Sequence, residues 1–230
     1  MIKTIFFDLD DTLLDFTRAE RAALTRALTE LDVPATDAVL SRYHELNRQQ
    51  WELLEEGKLT RPQVLTRRFD LLFAELGLRR SSQEACGRYE GHLAQGHFFI
   101  PGAPELLAAL APRYDLYLAS NGAAAVQHSR LDSAGIKPYF KDIFISETVG
   151  FDKPSPAFFE AAFAAIPGFS RETALMVGDS LTSDIRGGHN AGIRTCWFAP
   201  HGRPGRPDIV PDYRVTELGQ LAEVLEKIDN

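Results

Sequence analysis

Residues 6–15 read FFDLDDTLLD, so an apolar run, Ile5-Phe6-Phe7, drives straight into carboxylates at Asp8, Asp10 and Asp11. A single Asp after a strand needs only a turn or a helix cap to explain it. Two carboxylates at i and i+2 of extended chain are a different matter, because they point to the same side. Like charges that close repel and raise each other's pKa. A hard divalent cation with oxygen ligands relieves the strain. Three further clusters carry matching chemistry: Ser120-Asn121-Gly122, Lys153-Pro154, and Gly178-Asp179 with Asp184 five residues on.

Together these residues describe attack on phosphorus. A carboxylate nucleophile, Asp8, forms an aspartyl-phosphate and splits hydrolysis into two easier steps. A phosphate monoester is itself anionic, so the attack needs charge neutralisation by Mg²⁺ and a lysine. Asp8 and Asp179 are the expected side-chain ligands, a carboxylate count that suits a cation which retains several waters. Asp10 is the expected general acid for the leaving oxygen and then the base for water. Lys153 supplies fixed positive charge to the phosphoryl oxygens and Asp8. Ser120 and the N–H groups of Asn121 and Gly122 supply phosphate hydrogen bonds. Thr12 orients the first loop at the phosphate, and Asp184 orients the waters of the metal.

Other polar residues read as structural. Asp11 is expected to form a turn, and Asp152 and Glu147 to act as local caps. The histidines are not needed, and His128 and His189 are expected to be solvated on helices. Trp197 reads as core.

The elements that must hold these clusters follow one pattern. Apolar runs Ile2–Phe7, Leu116–Ala119, Ile143–Ile145, Ala174–Val177 and Thr195–Ala199 each stop at a polar or glycine-containing cluster. Such runs predict strands buried on both faces. Helical patterns lie between most of them, at Pro104–Leu110, Ala123–Ala134, Pro156–Ile166, Thr182–Ala191 and Thr216–Ile228. Alternation of this kind predicts an α/β domain on a parallel sheet, with ligands beyond the carboxyl ends of the strands. Residues 16–97 show no strand-like run and predict about four helices, with capping boxes at Thr17-x-x-Glu20, Thr60-x-x-Gln63 and Ser81-x-x-Glu84. That segment carries 12 Lys/Arg and 12 Asp/Glu, so the net charge of −7 belongs to the remainder. Pro200–Pro211 reads as a surface loop.

With Asp8-x-Asp10-x-Thr12, Ser120-Asn121-Gly122, Lys153-Pro154 and Gly178-Asp179-x-x-x-x-Asp184 in this order, the sequence resembles the haloacid dehalogenase (HAD) superfamily of hydrolases. The core resemblance covers residues 1–15 and about 98–200. It implies a Rossmann-like core over 1–15 and 98–230, and a helical, four-helix-bundle-like cap over 16–97 hinged near Asp15–Thr17 and His97–Pro101. It also adds the backbone carbonyl of Asp10 to the Mg²⁺ ligands. Dehalogenases of the superfamily share the nucleophile but lack the acid two residues later, so the presence of Asp10 and Asp179 argues for phosphate esters. A mutase would share these residues. A non-catalytic phosphate-binding regulatory module would be expected to lose Asp8, Asp10 or Lys153.

Substrate identity is left to the cap. Asn47-Arg48-x-x-Trp51, Glu56-Gly57, Arg67-Arg68-Phe69 and SETVGFDKP at 146–154 look most like the pyrimidine 5′-nucleotidase branch, which implies a nucleoside 5′-monophosphate. Trp51 or Phe16 offers an aromatic face for a base, but packing between cap helices is the favoured explanation of both Trp51 and Phe69. A phosphatase of small sugar or acid phosphates such as phosphoglycolate is the alternative. The 230 residues, 44% hydrophobic and 25% charged, suit ordinary globular structure. No Lys/Arg-rich run suggests a nucleic-acid polymer. Cys86 and Cys196 match no metal spacing. With no signal-like N-terminus and no membrane-length apolar run, a cytoplasmic protein is the expectation.

Overall fold

The computed structural model describes residues 1–229. The chain divides into two compact units, Met1–Asp15 with Phe99–Asn230, and Phe16–Phe98.

The first unit is built on one six-stranded, wholly parallel sheet. Its strands are β1 (Thr4–Phe7), β2 (Asp115–Ser120), β3 (Asp142–Ile145), β4 (Ala174–Gly178), β5 (Arg194–Phe198) and β6 (Tyr213–Val215), in the order β3-β2-β1-β4-β5-β6. Alternate residues of β1 serve opposite faces, as the period of extended chain requires. Ile5 and Phe7 join a core with Leu106, Leu107 and Leu110 below one face. Phe6 joins the opposite core with Phe158, Phe159 and Phe163. Both faces are thus covered by apolar side chains, which is why the strands read as continuous apolar runs. β1 lies between β2 and β4, where the strand order reverses direction, and that reversal opens a crevice at the carboxyl ends of β1 and β4.

The second unit is helical: α1 (Phe16–Glu30), α2 (Asp37–Glu55), α3 (Arg61–Glu75) and α4 (Ser82–Leu93). α3 starts at the Thr60/Gln63 capping box, and the Ser81 hydroxyl accepts from Glu84 N at the start of α4. The third predicted box fails. α1 already begins at Phe16, and the Glu20 carboxylate is buried instead, accepting from Asn47 Nδ2 (2.7 Å) and lying 2.5 Å from His44 Nδ1. Burying that charge is tolerable only because it is bonded. Asn47 passes the network on: its Oδ1 accepts from Trp51 Nε1 (3.1 Å) and Arg68 Nη1 (2.9 Å). Phe69 is fully buried against Tyr43, Tyr89 and Phe73, so it packs between helices as the structural alternative held.

The remaining helices belong to the first unit: α5 (Ala103–Leu110), α6 (Ala124–Ala134), α7 (Ser146–Val149), α8 (Pro156–Ala165), α9 (Arg186–Asn190) and α10 (Leu221–Asp229). The segment predicted as one helix over Thr182–Ala191 is wider at its start. Leu181–Ile185 forms a π-type turn, and only Arg186–Asn190 is α-helical. Among the described residues, no helix is long and apolar enough to cross a membrane.

Candidate active site

Asp8 follows β1 directly, and its N–H donates to Val177 O (2.9 Å), continuing the pairing of β1 with β4 one residue past the strand. The loop behind it ties itself by backbone bonds, from Asp11 N to Leu14 O (2.8 Å) and from Leu13 N and Leu14 N to Leu9 O (2.9 Å each). Asp11 takes φ 54°, the left-handed turn that Asp tolerates better than most residues. Thr12 is fully buried, but its hydroxyl makes no hydrogen bond among the described residues. Backbone bonds thus tie the loop, while the Thr12 hydroxyl contributes none of them.

Lys153 is 1% exposed, and its three N–H donors find three acceptors: Asp8 Oδ1 (2.8 Å), Asp184 Oδ1 (2.7 Å) and Ala119 O (2.6 Å). Burial works against the ammonium, but Asp184 and Asp8 together outweigh it and hold Lys153 protonated. Burial pushes the Asp8 carboxyl up as well, with Lys153 opposing and Asp184 and Asp10 adding to the rise. The short contact to a protonated lysine opposes that rise, so the charge Asp8 can carry depends on Lys153. Burial, then the neighbouring Asp11, Asp184 and Asp8, raise the Asp179 carboxyl well above its ordinary range, opposed by Arg203 at 2.8 Å.

Carboxylate oxygens of Asp8, Asp179 and Asp184 lie within 4.8 Å of one another. Hard oxygen donors crowded and buried in this way fit a divalent cation such as Mg²⁺. Asp184 is a member of this cluster. It is fully buried, with Oδ2 accepting from Ser180 N (3.0 Å) across the π-type turn. A Cβ on Gly178 would run into that carboxylate, which is why β4 ends on glycine. The Asp10 side chain is elsewhere: Oδ2 accepts from Gln127 Nε2 (2.7 Å) and Oδ1 from Arg130 Nη1. Only a backbone contribution from Asp10 to a metal is compatible with that stance.

Ser120 ends β2, and Gly122 N donates to its Oγ (3.1 Å). Asn121 does more than the sequence suggested. Its side chain donates to Lys153 O and accepts from Lys153 N, both at 2.8 Å, like a short piece of sheet edge, and so places the lysine backbone. Glu147 does cap a helix, but that helix is α6, through Ala124 N (2.6 Å). Trp197 is core, and its Nε1 also donates to Asp179 O (2.8 Å). His128 is half-buried on α6, not solvated as expected; His189 is exposed on α9. Gln127 and Arg130 are the residues that sequence reasoning missed. Their signal was a polar pair at i, i+3 beside Val126 and Leu131, on a helix face otherwise suited to the core.

The model of the haloacid dehalogenase-like hydrolases matches residues 2–192. YfnB of Bacillus subtilis, a HAD-hydrolase by name, is 41% identical over 223 residues, covering 97% of this chain and 95% of its own. Its crystal structure, bound to magnesium and described as revealing interdomain movement, superposes with a TM-score of 0.94 over 97% of this chain and 98% of that one. The pyrimidine 5′-nucleotidase PynA of Streptococcus pneumoniae is 42% identical over 226 residues, covering 98% of this chain and 95% of its own. A glyceraldehyde 3-phosphate phosphatase of Pyrococcus furiosus is 32% identical over 235 residues, covering 98% and 94%. The family match, the parallel sheet and the buried carboxylate cluster at the ends of β1 and β4 agree: this chain belongs to the haloacid dehalogenase-like hydrolases and is a Mg²⁺-dependent hydrolytic enzyme of that type.

Proposed function

We propose that the protein hydrolyses nucleoside 5′-monophosphates, pyrimidine nucleotides above all, through an aspartyl-phosphate on Asp8. Lys153 occupies Asp8 Oδ1, which leaves Oδ2 to attack phosphorus. The Oδ2–P bond forms as the bond from phosphorus to the leaving oxygen breaks, and Asp10 gives that oxygen a proton. Asp10 then takes a proton from water as the water attacks phosphorus, releasing orthophosphate and restoring Asp8. Ser120 and the N–H groups of Asn121 and Gly122 bind the non-bridging oxygens. Asp8, Asp179, the Asp10 carbonyl and Asp184 would hold Mg²⁺, directly or through its waters; when bound, it neutralises phosphoryl charge. Residues 16–97 act as the cap that reads the rest of the substrate, with Trp51, half-buried and carrying Arg61 over its ring, as the candidate base-facing aromatic.

One observation carries the nucleotide reading: the pyrimidine 5′-nucleotidase PynA matches this chain end to end, helical unit included, at 42% identity. The glyceraldehyde 3-phosphate phosphatase match supports a second reading, a phosphatase of small sugar or acid phosphates. A phosphate-release assay with Mg²⁺ separates them. Uridine or thymidine monophosphate is expected to show a higher kcat/KM than glucose 6-phosphate, glyceraldehyde 3-phosphate or phosphoglycolate. A small phosphate that beats every nucleotide by about tenfold, some 1.4 kcal/mol in transition-state binding, establishes the second reading instead.

A further inference from the structure

Gln127 and Arg130 are buried in α6, at 1% and 0% exposure, although neither is part of the apolar core. Arg130 has only donors to offer. Its Nη1 donates to Gln127 Oε1 (3.0 Å) and to Asp10 Oδ1. That contact settles which way the Gln127 amide faces, because the amide oxygen must meet the guanidinium. The NH₂ end is then turned to two acceptors at once, Asp10 Oδ2 (2.7 Å) and Ser120 Oγ (2.8 Å).

The consequence for Ser120 is directional. A hydroxyl has two lone pairs and one proton. Gln127 Nε2 and Gly122 N occupy the lone pairs. The Ser120 proton is thereby left for donation to another acceptor, such as a phosphate oxygen. For Asp10 the consequence is angular. One lone pair on each carboxylate oxygen is engaged, which fixes the plane of the group and leaves the others to carry the transferred proton. Gly122 makes room for the arrangement, since a Cβ there would strike the Gln127 amide.

We propose that Gln127 and Arg130 are positioning residues that lock the acid–base carboxylate of Asp10 and the phosphate-binding hydroxyl of Ser120 into one frame. Phosphate seating and proton delivery are then set by the same amide. The proposal deepens the reading of the site given above and rests on Asp10 being the general acid.

The test compares substrates whose leaving groups differ in their need for a proton. From uridine monophosphate the leaving group is the 5′-alkoxide of uridine, which needs the acid, whereas from p-nitrophenyl phosphate it is the stabilised p-nitrophenolate, which hardly does. Gln127→Met keeps the length and removes the hydrogen bonds; Arg130→Lys keeps the charge but cannot span both partners. D10N sets the scale. Each should lower kcat/KM for uridine monophosphate at least about tenfold more than for p-nitrophenyl phosphate, within the ~10²–10⁴ that acid–base catalysis contributes. Q127M should also weaken inhibition by vanadate, and the D10N/Q127M double variant should split the two substrates no further than D10N alone. A merely structural loss lowers both substrates together. Should D10N split the substrates while Q127M and R130K do not, the positioning role is overturned alone. A D10N variant that does not split them overturns the reading of Asp10 and the proposal with it. Q127E, which retains the size and the acceptor, gives the same readout should Q127M fold poorly.

Discussion

Lys153→Met is the sharpest perturbation of the site's electrostatics. Methionine approximates the length of lysine and removes only the charge and the donors. In the native chain those donors end on Asp8 Oδ1, Asp184 Oδ1 and Ala119 O at 2.8, 2.7 and 2.6 Å, with the lysine 1% exposed. Removing one partner of a buried pair costs about 3–5 kcal/mol, because the other charge is stranded. For a chain of this size, each kcal/mol lowers Tm by about 2–4 °C, so the expected loss is roughly 6–20 °C. It should be measured by thermal melts with chelator present, so that no cation takes the place of the ammonium. A second substitution, Asp184→Asn, removes one stranded charge and should restore part of the loss in the double variant. The cost should also depend on pH. Without Lys153, the influences left on Asp8 all raise its pKa: burial first, then Asp184 and Asp10. A raised folded-state pKa means that the folded chain keeps a proton the unfolded chain gives up, so stability falls as pH climbs through the folded pKa. With Lys153 in place the Asp8 carboxyl is already pushed up to about 8, so parent and variant part only above that pH, and the deficit of K153M should be larger at pH 9 than at pH 5. A variant that melts within about 2 °C of the parent at pH 9, below the cost of even one kcal/mol, with no recovery on adding Asp184→Asn, would refute the account of Lys153 as the cation of two buried carboxylates.

Two further outcomes test the chemistry itself. Asp8→Asn keeps the shape of the nucleophile and removes its charge, so turnover should drop by several orders of magnitude; near-normal turnover, after deamidation is checked by mass spectrometry, excludes Asp8 as the attacking group. Chelation should abolish phosphate release, Mg²⁺ should restore it, and Ca²⁺ should restore it poorly because it is larger and takes more ligands; full activity after thorough chelation rules out the metal requirement.

The sheet was readable because burial on both faces writes itself into the chain as short apolar runs, each ended by chemistry. β1, β2, β3, β4 and β5 were all visible in this way. β6 was not: Tyr213–Val215 is an edge of three residues with Arg214 exposed in its middle, too short and too polar to make a run. The π-type turn at Leu181–Ile185 also escaped, since helical periodicity does not distinguish a wide first turn from a regular one. In the site, the residues whose type alone announces reactivity were legible: Asp8, Asp10, Lys153, Asp179 and Asp184. The supports were not. The Asn121 side chain has no evident task until Lys153 arrives beside it, and Gln127 and Arg130 have none until Asp10 is found against them. Such partners meet only through sheet topology, and local pattern holds no record of it.

The central place of β1 has a consequence for how the enzyme comes into being on the ribosome. β1 leaves first, yet it pairs with β2 through Asp115–Leu118 and with β4 through Ala174–Val177. At a synthesis rate of ~5–20 residues per second, roughly ten to thirty seconds separate the emergence of Phe7 from that of Val177. The helical unit Phe16–Phe98, in which α1 must wait only for α4, is complete well before β4 is made and has time to form in that interval. Asp8, Asp10 and Asp11 wait in an unpaired segment, a string of carboxylates that keeps an otherwise sticky apolar strand in solution until its neighbours are made. Asp8 and Asp10, proposed above for phosphate chemistry, would thus serve first as guards of the nascent strand.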